Sequence, residues 1–190
     1  ENYIGYNSSG PYVNSAKTIL VRLQTENRTL NQQRLGRQRS REQSRIRRER
    51  NRVETERNKI KTMLKSYVRR YVAKNDGTFT DKKTGLTWSL LDSRAVLNKC
   101  LDYKSAQKYV NNLKTGGYRD WRLPYSNELA GIYKSEPFFP DKRTQWYWTS
   151  EVFTKGYNKK ALIVTSKQES FYKRQQANLD KCGWVRAVRP

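Results

Sequence analysis

The sequence contains no histidine, and Cys100 and Cys182 are its only thiols. A zinc site would be short of ligands, so no metal and no cofactor is expected. The two cysteines leave three uses open: buried thiols, a reactive pair or a disulfide. Aromatic residues are missing altogether from Lys17 to Ser66, whereas every Trp and every Phe falls between Phe79 and Trp184. A segment without aromatics and with so few apolar residues builds no globular core, so the chain reads as two parts. Proline is absent from 17–72, and Gly36 is the only glycine there. No stretch approaches the ~20 apolar residues of a membrane span, and no transmembrane segment is expected. The chain begins at Glu1 rather than Met, which suits a processed mature protein or a trimmed one.

What the chain does hold is positive charge, a net +23. Residues 17–74 carry 19 Lys and Arg against 5 Asp and Glu, and residues 75–190 carry 21 against 11. Such a surplus favours polyanions: nucleic acid, acidic glycan, anionic lipid or an acidic protein. Residues 1–16, rich in Gly, Asn, Ser and Tyr, read as an irregular arm, with Asn14 or Ser15 as helix cap. From 17 to about 73 the abundance of Arg, Gln, Glu and Leu predicts a long basic helix, about 84 Å if continuous. Its heptads are weak. Leu23 and Leu30 lie seven apart, as do Ile46, Val53 and Ile60, but the polar stretch between offers only Leu35. Copies of the chain would bring Arg34, Arg37, Arg39, Arg41 and Arg45 against one another. Homo-oligomerisation is therefore open to the ends of the helix, around 20–30 and 60–72, and closed to its middle. An isolated charged helix rarely persists over this length. The run Arg34, Arg37, Arg39, Arg41, Arg45, Arg47, Arg48, Arg50 and Arg52 is thus expected to be held by an acidic protein surface, with nucleic acid as the second choice.

Residues 74–190 should form the folded domain. The helix is expected to stop at the "KNDG" of 74–77. "GTFTDKKTGLTWSL" then reads as two strands about a Lys-Lys-Thr-Gly turn, with Phe79, Leu86 and Trp88 inward. Leu101, Ala106, Tyr109, Val110 and Leu113 have helical spacing, closed by Gly116–Gly117. A short helix follows through Leu129 and Ile132. Four segments, "WYWTSEVF", "KKALIVTS", "SFYKRQ" and "CGWVRAVR", read as antiparallel strands. The class is α+β.

Taken in order, "DGTFTDKKTGLTW", a cysteine-bearing segment, "GGYRDWRLPYSNEL", "WYWTSE" and the closing "CGWVRAVRP" carry a resemblance. They resemble the blocks of a bacterial extracellular domain family, typified by the C-terminal domain of the Legionella collagen-like adhesin. The resemblance covers Asp76 to Pro190 and none of the basic helix. It implies a C-type-lectin-like fold, a binding module rather than an enzyme, and a founding member that recognises sulfated glycosaminoglycans. It also implies that Cys100 and Cys182 pair. Closing such a loop would stabilise by about 4–5 kcal/mol in the chain-entropy model, and would place the protein in an oxidising compartment, secreted or in the cell envelope. The motif Trp121, Arg122, Leu123 and Pro124 reads as architecture: Trp121 and Leu123 inward, Arg122 locking a carboxylate or carbonyls, Pro124 starting a turn. The family usually has a small capping residue after this proline. Tyr125 stands there instead, so Ser126 is expected to cap one residue late.

Three functions compete. Formylglycine-generating enzymes share the lectin-like fold and a similar "RLP…E" block, but they need a reactive cysteine pair or a metal. The acidic residues of this chain show no dyad spacing, and no catalytic residue is expected. Calcium-dependent sugar binding would need clustered oxygen ligands that the sequence does not offer. Charge-driven binding of sulfated or acidic glycans has candidates in Lys155, Lys159 and Lys160, and in Lys173 and Arg174 behind Phe171–Tyr172. An assembly role makes use of the helix as well: a lectin-like head docked on an acidic partner in a larger envelope assembly. That last reading is the expectation.

Overall fold

The computed structural model describes residues 11–133, 146–165 and 175–190. It contains two compact units, 1–51 and 52–190. Helix α1, Pro11–Lys65, supplies all the described structure of the first and the opening of the second. Pro11 is its first residue, a position where a missing N–H costs nothing. The irregular arm expected over 1–16 therefore gives way to helix at Pro11. Asn14 and Ser15 are not caps but helix interior, and the Asn14 carbonyl accepts the Thr18 hydroxyl at 2.9 Å. Nothing between Tyr12 and Ala16 breaks a helix, so the start moves back to the proline.

The helix also ends earlier than expected, at Lys65 rather than near residue 73. Ser66 and Tyr67 donate to the Met63 and Leu64 carbonyls, three residues back, which tightens and closes the last turn. The chain then enters strand β1, Tyr71–Ala73, which pairs antiparallel with β2, Thr78–Asp81. Pairing wins over helix propensity because Tyr71 is an aromatic core residue. It is 1% exposed and meets Phe79 edge-on with ring centroids 5.6 Å apart. Strand β3, Thr87–Ser89, follows the predicted turn, and the short β7, Val188–Arg189, returns beside it to give the order β1-β2-β3-β7.

The core of this sheet gathers Phe79, Trp88, Leu129 and Ile132 with Ile60 and Leu64 from α1. Among the described residues between β3 and the second sheet are three α-helices and a 3-10 turn at Thr115–Gly117. Helix α2, Ser93–Leu97, was not foreseen. Asp92 caps it by accepting the Ala95 N–H, and Asn98 ends it in the left-handed region at φ 51°. Helix α3, Tyr103–Asn111, is capped by Asp102 and stops before the two glycines. Leu101 is not helical; it forms a bridge with Gly183 instead. Gly116, at φ 68°, admits no side chain, since a Cβ would lie 2.9 Å from Thr78 Cγ2. Helix α4 spans Ser126–Tyr133. The second sheet is β4 (Trp146–Lys155), β5 (Asn158–Thr165) and β6 (Gln175–Asn178) in that order. Its core joins Trp148 and Ile163 to Trp121, Leu123, Ala106 and Val110. The strand expected over 170–175 falls, except for Gln175, outside the described residues. Of "CGWVRAVR", only Val188–Arg189 is a strand, because Gly183 and Trp184 make isolated bridges. The class is α+β throughout.

Candidate functional site

Trp121 and Leu123 are buried, as an alternating segment would place them, but Arg122 makes only an isolated bridge with Val188 rather than a full strand. The Arg122 guanidinium donates two parallel hydrogen bonds to Glu128, each of 2.8 Å. Burial alone would raise the Glu128 pKa. The bonds from Arg122 and from the Tyr125 N–H (2.7 Å) outweigh it and hold the carboxyl below its ordinary value. Glu128 thus makes half of a capping box, reaching back to the residue before α4. Ser126 is not the cap. It is the first helical residue, and its N–H goes to the Glu151 carboxylate. Asp120 and Arg189 form a second forked pair, at 2.7 and 2.8 Å, over the Tyr118 ring. Trp121 Nε1 donates to the Thr115 carbonyl, Arg122 to the Leu123 carbonyl, and the Pro124 carbonyl accepts the Ser150 N–H, so all four residues of the motif hold the loop together.

Deeper in the head lies a cluster of buried polar groups. Tyr147 donates to Asp92 at 2.6 Å, and Arg186 lies 3.5 Å from the same carboxylate. Arg186 also donates to the Ser89 and Leu90 carbonyls and, more weakly, to the Tyr133 hydroxyl. Burial pushes the phenol of Tyr133 up to about 12 and that of Tyr147 well above its ordinary value. Tyr109, nearby, also rises to about 12 through burial. Burial works against the Arg186 charge, yet the surrounding Tyr133, Asp92 and Tyr147 hold it more firmly protonated than usual. Each charge here is matched, and the cluster joins the start of α2 to the C-terminal segment. Cys100 and Cys182 are disulfide-bonded, with Cα atoms 5.3 Å apart, beside the Leu101–Gly183 bridge. Among the described residues, no group of acidic or cysteine side chains could hold a metal ion.

The basic residues of α1 divide by helix face. At about 100° per residue, Arg34, Arg37, Arg41, Arg45 and Arg48 fall within an arc of about 80°. Arg39, Arg47 and Arg50 point to the other side. All eight are exposed, and among the described residues no carboxylate lies within ion-pair distance of the five. The same arc continues toward the helix start through Ile19, Leu23 and Leu30, which are 59%, 53% and 52% exposed. One face of the helix is therefore apolar in its first half and cationic in its second. Arg52, in the other unit, differs: it is half-buried and donates to the Ala95 carbonyl at 2.7 Å.

The lysines proposed for glycan contact sit on the hairpin of β4 and β5. Cross-strand partners share a face, and successive residues alternate. Lys160 pairs with Phe153 and Lys155 with Asn158, so Lys155 and Lys160 lie on one side. Lys159, opposite Thr154, lies on the other. Tyr157, at the turn, is fully exposed. Lys173 and Arg174 lie outside the described residues. No described helix is long and apolar enough to cross a membrane.

No curated protein matches the chain. Residues 77–189, more than half of the chain, match the family model of the Lcl C-terminal domain, in agreement with the motif resemblance over Asp76–Pro190. The chain belongs to the Lcl C-terminal domain family.

Proposed function

We propose that this chain is a non-catalytic binding and assembly protein acting outside the cytoplasm. Its head has a C-type-lectin-like fold, and its basic helix docks on an acidic protein partner. One observation carries the reading. Arg34, Arg37, Arg41, Arg45 and Arg48 share a face that continues an apolar stripe, and no described residue of their own unit covers it. A diffuse polyanion such as nucleic acid needs charge but no such stripe. A partner helix with apolar residues at one end and carboxylates at the other matches both halves, in the i, i+3, i+4 manner of groove-binding helices. The intramolecular disulfide supports an oxidising location.

Two charge reversals separate the alternatives in a pull-down from envelope extracts. R34E/R41E/R48E alters the stripe, and R39E/R47E/R50E makes the same change in net charge on the other side. The expected result is that the first loses its partner and the second retains it. Equal loss from both would refute face-specific docking.

A second reading, a head that binds sulfated or acidic glycan, has support in Lys155 and Lys160 beside the exposed Tyr157. Under it, K155E/K160E weakens retention on a heparin matrix and K159E does so less.

A further inference from the structure

The head holds a groove of ≈ 450 Å³ that neither the arginine stripe nor the lysine hairpin touches. Lys61 and Lys65, from the last turns of α1, and Val68 form one wall; β1 and the following Lys74 form the other. Val68 and Val72 are 58% and 42% exposed, large values for apolar residues beside a core. Strand β1 lies at the edge of its sheet. Lys82 donates its N–H to the Arg70 carbonyl and Lys74 its N–H to the Thr78 carbonyl, at 2.8 Å each. In an antiparallel ladder this makes Ala73 and Phe79 a non-bonded pair, so the Ala73 N–H and C=O face away from β2. Ala73 itself lines the groove. No carboxylate lies within ion-pair distance of Lys61, Lys65 or Lys74 among the described residues. Lys82, at the rim, donates to the Val68 carbonyl at 3.0 Å.

We propose that this groove binds an extended acidic segment of a partner protein by strand addition to β1. The segment's backbone bonds Ala73. Its carboxylates meet Lys61, Lys65 and Lys74, and its alternate apolar side chains cover Val68 and Val72. A glycan or nucleic acid would satisfy the lysines but leave the valines in water and offer no ladder to the edge. Lysines on an edge strand can also serve only to repel other strands. In that case their replacement promotes self-association and leaves peptide affinity unchanged. The inference deepens the docking reading by adding a second contact with an acidic protein, and it stands or falls separately from the stripe.

The test uses the full chain and a capped synthetic heptapeptide of alternating Glu and Val, at about 50 mM salt, where exposed charges are weakly screened. Amide resonances locate binding and report that the rest of the head is intact. Binding in the millimolar range or tighter, with the Ala73 amide among the most shifted, is the expected result. K65E/K74E should weaken it by roughly tenfold, and K65Q/K74Q by less, while R34E/R41E/R48E changes it by under roughly twofold. N-methylation of the peptide on alternate residues, which removes ladder donors, should abolish it. The inference is overturned by no binding, by equal affinity of K65E/K74E or of the methylated peptide, or by shifts confined to 34–48. The last outcome would leave the docking of the stripe intact.

Discussion

The two units use their side chains in opposite ways. In the head, Phe79, Trp88, Leu90, Leu129 and Trp148 are essentially inaccessible, and the charges of Asp92 and Arg186 are matched inside. In the helix of the first unit, Ile19, Leu20, Val21, Leu23, Leu30, Leu35 and Ile46 are all more than half exposed. Burial, at about 25 cal/mol per Å² of apolar surface, stabilises the first far more than the second. The head therefore owes its fold to itself. The described part of the first unit offers these side chains no such cover, and helical stability comes mainly from tertiary packing.

That contrast can be broken on the head side without touching the helix. The largest effect is expected from C100A/C182A. Its sequence separation of 82 residues implies a loss of about 4–5 kcal/mol in the chain-entropy model. Chemical denaturation followed by tryptophan fluorescence reads the head alone, because every Trp lies there. Next comes Arg186→Met, which leaves Asp92 buried without its cation and should cost about 3–5 kcal/mol. The same substitution at Arg39 should change stability by less than about 0.5 kcal/mol, as for an exposed residue away from caps and pairs. A similar cost at both positions would erase the distinction between the units.

A smaller effect sharpens the contrast through pH. Tyr109 and Tyr133 have folded-state values raised to about 12, and Tyr147 is raised as well. The unfolded chain releases these protons near 10. Their contribution is thus complete below pH 10 and is lost as pH rises from 10 toward 12. Denaturation midpoints of the head should fall across that window, and less in Y109F, while the helical signal of the first unit does not follow them.

Much of the head could be read from the sequence because its signals are local. The Lys-Lys-Thr-Gly turn placed β2 and β3, and the ordered blocks from "DGTFT" to "CGWVRAVRP" identified the family. Other features depend on partners distant in sequence. The helix ends at Lys65 because Tyr71 finds Phe79, and no cap or breaker near Lys65 announces it. Helix α2 was missed although Asp92 before Ala95 is a usable cap, since its five residues show no clear periodicity. The pairs Arg186–Asp92 and Arg189–Asp120 were invisible as pairs: each acid looked scattered until the C-terminal segment folded back. The arginine stripe was present in the spacing but hidden by Arg39, Arg47 and Arg50, which blur the count until residues are assigned to helix faces.

The central claim is that a face of the basic helix, and not its charge alone, selects the partner. Its most direct test is fluorescence anisotropy with a synthetic helix carrying leucines to meet Ile19–Leu30 and glutamates to meet Arg34–Arg48. R34E/R41E/R48E is predicted to weaken binding by more than about tenfold, while R39E/R47E/R50E stays within about twofold of the unmodified chain. Equal weakening by the two variants would contradict the account.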